Sequence, residues 1–113
     1  MSFDTNERRQ HPRFSLAVMI RIEFTSFKFQ ANTENLSLGG MLLLTQRRLP
    51  VGTKLKVEIM AAGKGLLPIR AAGVVVRIRD SEPRGLAICF IDLPKTEQNN
   101  LAALLKRLEQ KAD

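Results

Sequence analysis

Arg9 and Arg13 stand three residues apart in the run Arg8-Arg9-Gln10-His11-Pro12-Arg13, and Asn35-Leu36-Ser37-Leu38-Gly39-Gly40 follows further along. Arginine presents a planar fork of donors that satisfies paired acceptors, such as phosphate oxygens or the O6 and N7 of guanine. Its flat face also stacks on a base. Two small polar residues followed by glycines suit a backbone that must come close to a polar ligand. Either spacing alone says little. Together, in this order and beside strand-like sequence, they form a specific pattern.

The elements that must position these residues follow from hydrophobic periodicity. Leu16, Val18, Ile20, Ile22 and Phe24 alternate with Ala17, Met19, Arg21 and Glu23, the period of a half-buried strand. Phe27, Phe29, Ala31 and Thr33 alternate in the same way and predict a second strand, paired to the first as a hairpin. Met41–Leu44, Leu55–Ile59, Leu66–Arg79 and Leu86–Ile91 read as four more, with Gly73 marking a bulge or bend. After Pro94, Thr96 is a candidate cap. Leu101, Leu104, Leu105 and Leu108 then form one apolar stripe, which predicts a helix over about 96–111. Six strands and one helix fit a mainly β fold, a small antiparallel β-barrel with a C-terminal α-helix packed on it. Residues 1–13 are polar and read as a mobile arm, leaving 14–113 as the barrel and helix.

A chain of 113 residues with 44% hydrophobic content is one domain with a real core. Its net charge of +7 favours an anionic partner or a general attraction to polyanions. The one cysteine cannot form an intrachain disulfide, and no apolar run reaches the roughly 20 residues that span a bilayer. These features predict a cytoplasmic protein without membrane insertion. Catalysis finds no support. One histidine and one cysteine far apart exclude the usual metal clusters, the carboxylates are scattered, and there is no phosphate-binding loop or nucleophile elbow. No catalytic residue, metal or cofactor is expected.

With both motifs and this β-rich frame, the chain resembles the PilZ domain family, which binds the bacterial second messenger cyclic di-GMP through RxxxR and [D/N]xSxxG. The motifs cover Arg9 to Gly40, and the later pattern fits to about Leu108. The resemblance implies a six-stranded barrel and a receptor that acts through a downstream protein. It also implies that Arg9 and Arg13 approach the guanine edges and phosphates from the arm, either arginine taking either group. Arg8 takes one of two roles: a further base contact that favours two stacked ligand molecules per chain, or general positive charge.

On the barrel, Asn35 and Ser37 are expected at the end of the second strand with their side chains on one face. There an amide oxygen can accept from a guanine N–H and a hydroxyl can donate or accept. Gly40 is expected to supply a positive φ and room for the ligand. The plainer reading of the same residues is a polar turn whose side chains bond their own backbone. Cys89, in the apolar run Leu86–Ile91, is expected to be buried, and Arg77 and Arg79 to form a solvated basic face. Two other functions compete. One is an interaction module of the same fold that ignores nucleotide, which the intact motif residues argue against. The other is a single-stranded nucleic-acid binder, which would need exposed aromatic residues. There is no Trp or Tyr, and the phenylalanines fall in core-like alternation, so no specific DNA or RNA partner is expected.

Overall fold

A computed structural model describes residues 18–25, 27–60 and 68–112; Arg8, Arg9 and Arg13 and the reading of a mobile arm lie outside them. Six strands run β1 (Met19–Phe24), β2 (Phe27–Leu36), β3 (Gly40–Leu44), β4 (Lys54–Met60), β5 (Ile69–Arg79) and β6 (Gly85–Asp92). One helix, α1 (Lys95–Ala112), follows. All ladders are antiparallel, and they close into a barrel in the order β1-β2-β3-β6-β5-β4.

The alternation seen in the sequence is the barrel's inside and outside. Ile20 and Ile22 of β1, Val57 and Ile59 of β4, and Leu86 and Ile88 of β6 point into one core. With no tryptophan or tyrosine, aliphatic side chains fill it. The leucine stripe of α1 packs as expected: Leu101, Leu104 and Leu105 are buried in the same cluster, with Leu108 against it. The helix begins one residue earlier than its sequence signal. The Pro94 carbonyl accepts the first helical bond, from Gln98 N–H at 2.8 Å, which makes Pro94 the cap and places Thr96 inside the first turn.

Two expectations about the core are corrected. Cys89 is exposed, because β6 buries both faces only as far as Ile88 and its outward side is open from there on. The described phenylalanines are not in the interior: Phe24, Phe29 and Phe90 are partly buried against the core and Phe27 is exposed. Arg47 covers Phe27 and Phe29, its guanidinium 4.3 Å from the Phe27 ring centre and 4.7 Å from that of Phe29.

Candidate functional site

The residues of N-x-S-x-x-G lie where β2 ends and turns into β3. Between Thr33, paired to Leu43, and Asn35, paired to Leu42, Glu34 is an extra residue without a ladder partner, so β2 bulges there. The bulge moves the inward set from Ala31 and Thr33 to Leu36, leaving Asn35 half-buried on the outer side. The strand stops at Leu36, and Ser37 opens the turn. The expectation that Asn35 and Ser37 both end the second strand is corrected for Ser37, which lies beyond it, and the placement of the two depends on a bulge and a turn.

Ser37 is 1% exposed and organises that turn. Its N–H donates to the Gly40 carbonyl at 2.9 Å, and its Oγ accepts from Gly39 N–H at 3.2 Å and donates to the Gly40 carbonyl at 3.4 Å. In this structure the Ser37 hydroxyl thus makes the backbone-bonded turn. Gly39 in turn accepts at its carbonyl from Phe90 N–H at 3.0 Å, fastening the turn to β6. Gly40 is required for a reason other than the one expected. Among the described residues, positive φ occurs at a glycine only in Gly52. A Cβ on Gly40 would instead collide with the Ile88 carbonyl oxygen and lie 3.1 Å from Cys89 Cα. Small size at Gly40 lets β3 and β6 approach.

Ladder registers carry the site across the barrel wall. Asn35 pairs with Leu42, Leu42 with Ala87, and Ala87 with Arg77, forming one outward row over β2, β3, β6 and β5. The adjacent row on one side is Gly40, Cys89 and Val74. On the other it is Asn32, Leu44, Gly85 and Arg79. The floor of this face is small or aliphatic, with an amide at one end and the exposed Arg77 at the other. Leu42 and Ala87 are 4% and 1% exposed, yet neither belongs to the core cluster. Their burial lies on the outer face. Sequence reading treated Arg77 as part of a general basic surface; only the register places it in line with Asn35.

Arg79 is not simply solvated. Its Nη2 lies 2.8 Å and its Nη1 3.4 Å from the two carboxylate oxygens of Glu34, and its Nε donates to the Pro83 carbonyl at 2.6 Å. The hydrogen bond to Glu34, with the attraction between the two charges, raises the Arg79 pKa against the opposing effect of burial.

A family model for the PilZ domain matches residues 7–107. The chain belongs to the PilZ domain family.

Solved structures share this PilZ fold. The inhibitor of motility MotI/DgrA of Bacillus subtilis superposes with a TM-score of 0.76 at 21% identity, over 94% of this chain and 51% of that one. The PilZ domain of YcgR from Escherichia coli, with c-di-GMP, gives 0.76 at 19% identity over 94% and 95%. The K. pneumonia MrkH–c-di-GMP complex gives 0.77 at 21% identity over 94% and 53%. The chain thus spans about half the length of MotI and MrkH. No curated protein sequence matches it.

A cavity of about 500 Å³ opens elsewhere on this PilZ barrel, over β1, β4 and β5. Glu58 bridges Arg21 at 3.1 Å and Arg70 at 3.2 Å across it. Neighbouring outward positions Lys28, Glu23 and Lys56 continue the alternation of sign, since Glu23 is registered between the two lysines. Four cations face two carboxylates in this lattice, and it lacks the amide and glycine turn found on the β2–β3–β6 face.

Proposed function

We propose that this protein is a cyclic di-GMP receptor of the bacterial cytoplasm that transmits ligand occupancy to another protein and catalyses no reaction. The observation that carries this reading is the outward row Asn35–Leu42–Ala87–Arg77, bounded by the Ser37–Gly40 turn. Flat purines need an apolar floor for their faces and polar groups for their edges. Leu42 and Ala87 lie at the base of this face, buried on its outer side. Asn35 can accept from a guanine N–H at one end, and the Arg77 fork can meet guanine acceptors or lie over a ring at the other. Ser37 shapes the turn, and Gly40 permits it.

In this reading residues 1–13 form an arm that closes over ligand seated on the barrel of 14–113. Arg9 and Arg13 bring to the two phosphates and the guanine edges the positive charge that the floor lacks. Ordering the arm costs free energy that the arginine contacts must exceed, which suits a switch. Arg8 adds a third fork and favours a second, stacked ligand. Calorimetric titration with cyclic di-GMP tests the proposal. The wild-type chain should bind, and the Arg9→Ala/Arg13→Ala double variant should lose tenfold or more in affinity, at about 1.5–3 kcal/mol per charged hydrogen bond. Equal affinities would refute the role of the arm. A stoichiometry of two that falls in Arg8→Leu would support the stacked ligand, and a ratio of one in both proteins would reject it.

A further inference from the structure

The Glu34–Arg79 pair joins residues 45 positions apart in sequence. The strands that carry them, β2 and β5, are separated in the barrel by β3 and β6. Three ladder steps amount to roughly 14 Å, so the two long side chains must extend toward each other to meet. They can do so because the row beneath them contains Gly85, which pairs with both Leu44 and Arg79. Any Cβ on Gly85 would lie 2.5 Å from the Leu43 carbonyl oxygen and 3.3 Å from Leu42 Cδ1. Arg79 lies in the row next to Asn35–Leu42–Ala87–Arg77, and Glu34 directly precedes Asn35.

Its anchor on β2 is the bulged residue itself. Glu34 has no ladder partner to fix it, whereas Asn35 directly after it does. A bulge is a local choice of register, and what holds it decides which way the next side chain points. At the other end Arg79 is held twice, by both Glu34 oxygens and by the Pro83 carbonyl in the β5–β6 turn. The Arg79 and Glu34 side chains are 25% and 41% exposed, so the bridge is partly shielded from solvent.

We infer that Glu34 and Arg79 form a positioning clamp for ligand recognition: the bridge holds the β2 bulge in the register that presents Asn35 to the purine edge, and it bounds the binding face on that side. This rests on the proposed cyclic di-GMP site and assigns it a determinant outside both sequence motifs. Neither residue need touch ligand. Releasing the clamp should therefore erode the reading of the base more than the attraction for phosphate. Glu34→Gln also frees the Arg79 charge, which raises general affinity for anions while loosening Asn35.

The test uses the full chain and calorimetric titration with cyclic di-GMP and cyclic di-AMP. Four proteins are compared: wild type, Glu34→Gln, Arg79→Lys, and the charge-reversed double variant Glu34→Arg/Arg79→Glu. Thermal melts run alongside. Each single variant should lose preference for cyclic di-GMP over cyclic di-AMP by on the order of tenfold, the range expected for directly coupled residues. Melting temperatures should change little, and the reversed pair should regain much of the preference. Arg79→Lys keeps the charge but cannot make the two-pronged contact, so it tests geometry apart from charge. Wild-type selectivity in both single variants would overturn the clamp. A uniform loss of binding to both dinucleotides that only tracks melting temperature would also overturn it, in favour of a general structural role. Absence of binding by the wild type would overturn the receptor reading itself, a result distinct from either.

Discussion

Replacing Gly40 by alanine separates two reasons for a glycine in the N-x-S-x-x-G turn, ligand room and strand packing. The structure favours packing. The added methyl would point at the Ile88 carbonyl oxygen and sit 3.1 Å from Cys89 Cα. Neither neighbour can swing away as a side chain could, because both are backbone of β6 held in the β3–β6 ladder. Relief requires prising those strands apart, and overfilling a packed site of this kind costs about 1–3 kcal/mol. In a domain of this size each kcal/mol lowers the melting temperature by about 4 °C. Gly40→Ala should therefore melt roughly 4–12 °C below wild type without ligand, as followed by circular dichroism. Urea unfolding should show a lower midpoint and an unchanged slope. Gly52→Ala supplies the contrast. Gly52 has φ +97° and open space around the position of a Cβ, so any loss there reflects backbone strain rather than collision. A Gly40→Ala protein that melts with the wild type yet fails to bind would refute the packing argument and restore ligand room as the reason for the glycine.

Other expected outcomes are as direct. Leu101→Ala empties a fully buried position under α1 and should cost about 2–5 kcal/mol in urea unfolding. Ser37→Ala leaves Gly39 N–H without its acceptor and should cost about 1–2 kcal/mol even without ligand; an unchanged protein would mean that the hydroxyl serves only the ligand. Native protein should react with a maleimide at the exposed Cys89, and cyclic di-GMP should slow the reaction, since Cys89 shares a row with Gly40; labelling indifferent to ligand would place the ligand elsewhere. The Arg79 pKa is raised in the folded protein, so the stability it contributes is complete below its unfolded value and lost only in strong alkali. Titrating from neutral to mildly alkaline pH should leave the contribution of Arg79 intact, as measured by the difference in melting temperature between wild type and Arg79→Met.

The barrel was largely legible because its inner surface obeys a period of two. Ile20 and Ile22, Leu55 and Val57, and Leu86 and Ile88 announce their strands by that rule alone. The helix stripe was equally plain. What escaped was set by residues distant in sequence. The doubled step at Glu34 leaves no trace in a polar stretch, since Glu34 and Asn35 would both suit an exposed site. The need for glycine at Gly40 comes from β6 passing behind it, and a lone glycine near a turn invites the more local explanation of positive φ. Cys89 reads as buried because its neighbours are apolar, yet the outer side of β6 is buried at Gly85 and Ala87 and exposed from Cys89 on. The alignment of Arg77 with Asn35 in one row and the contact of Arg79 with Glu34 come from the folded sheet, which composition does not record.

Closure of the barrel limits how the state of this protein can be read. Every strand from β1 to β6 already has a ladder partner on each side. A partner therefore finds no complete edge strand among them beside which to lay one of its own, which is one way in which a sheet recruits an extended peptide. Recognition of the barrel must work through side chains, the helix, or a bound molecule lying on the wall. Occupancy can then be sensed as a change in surface chemistry while the scaffold stays rigid.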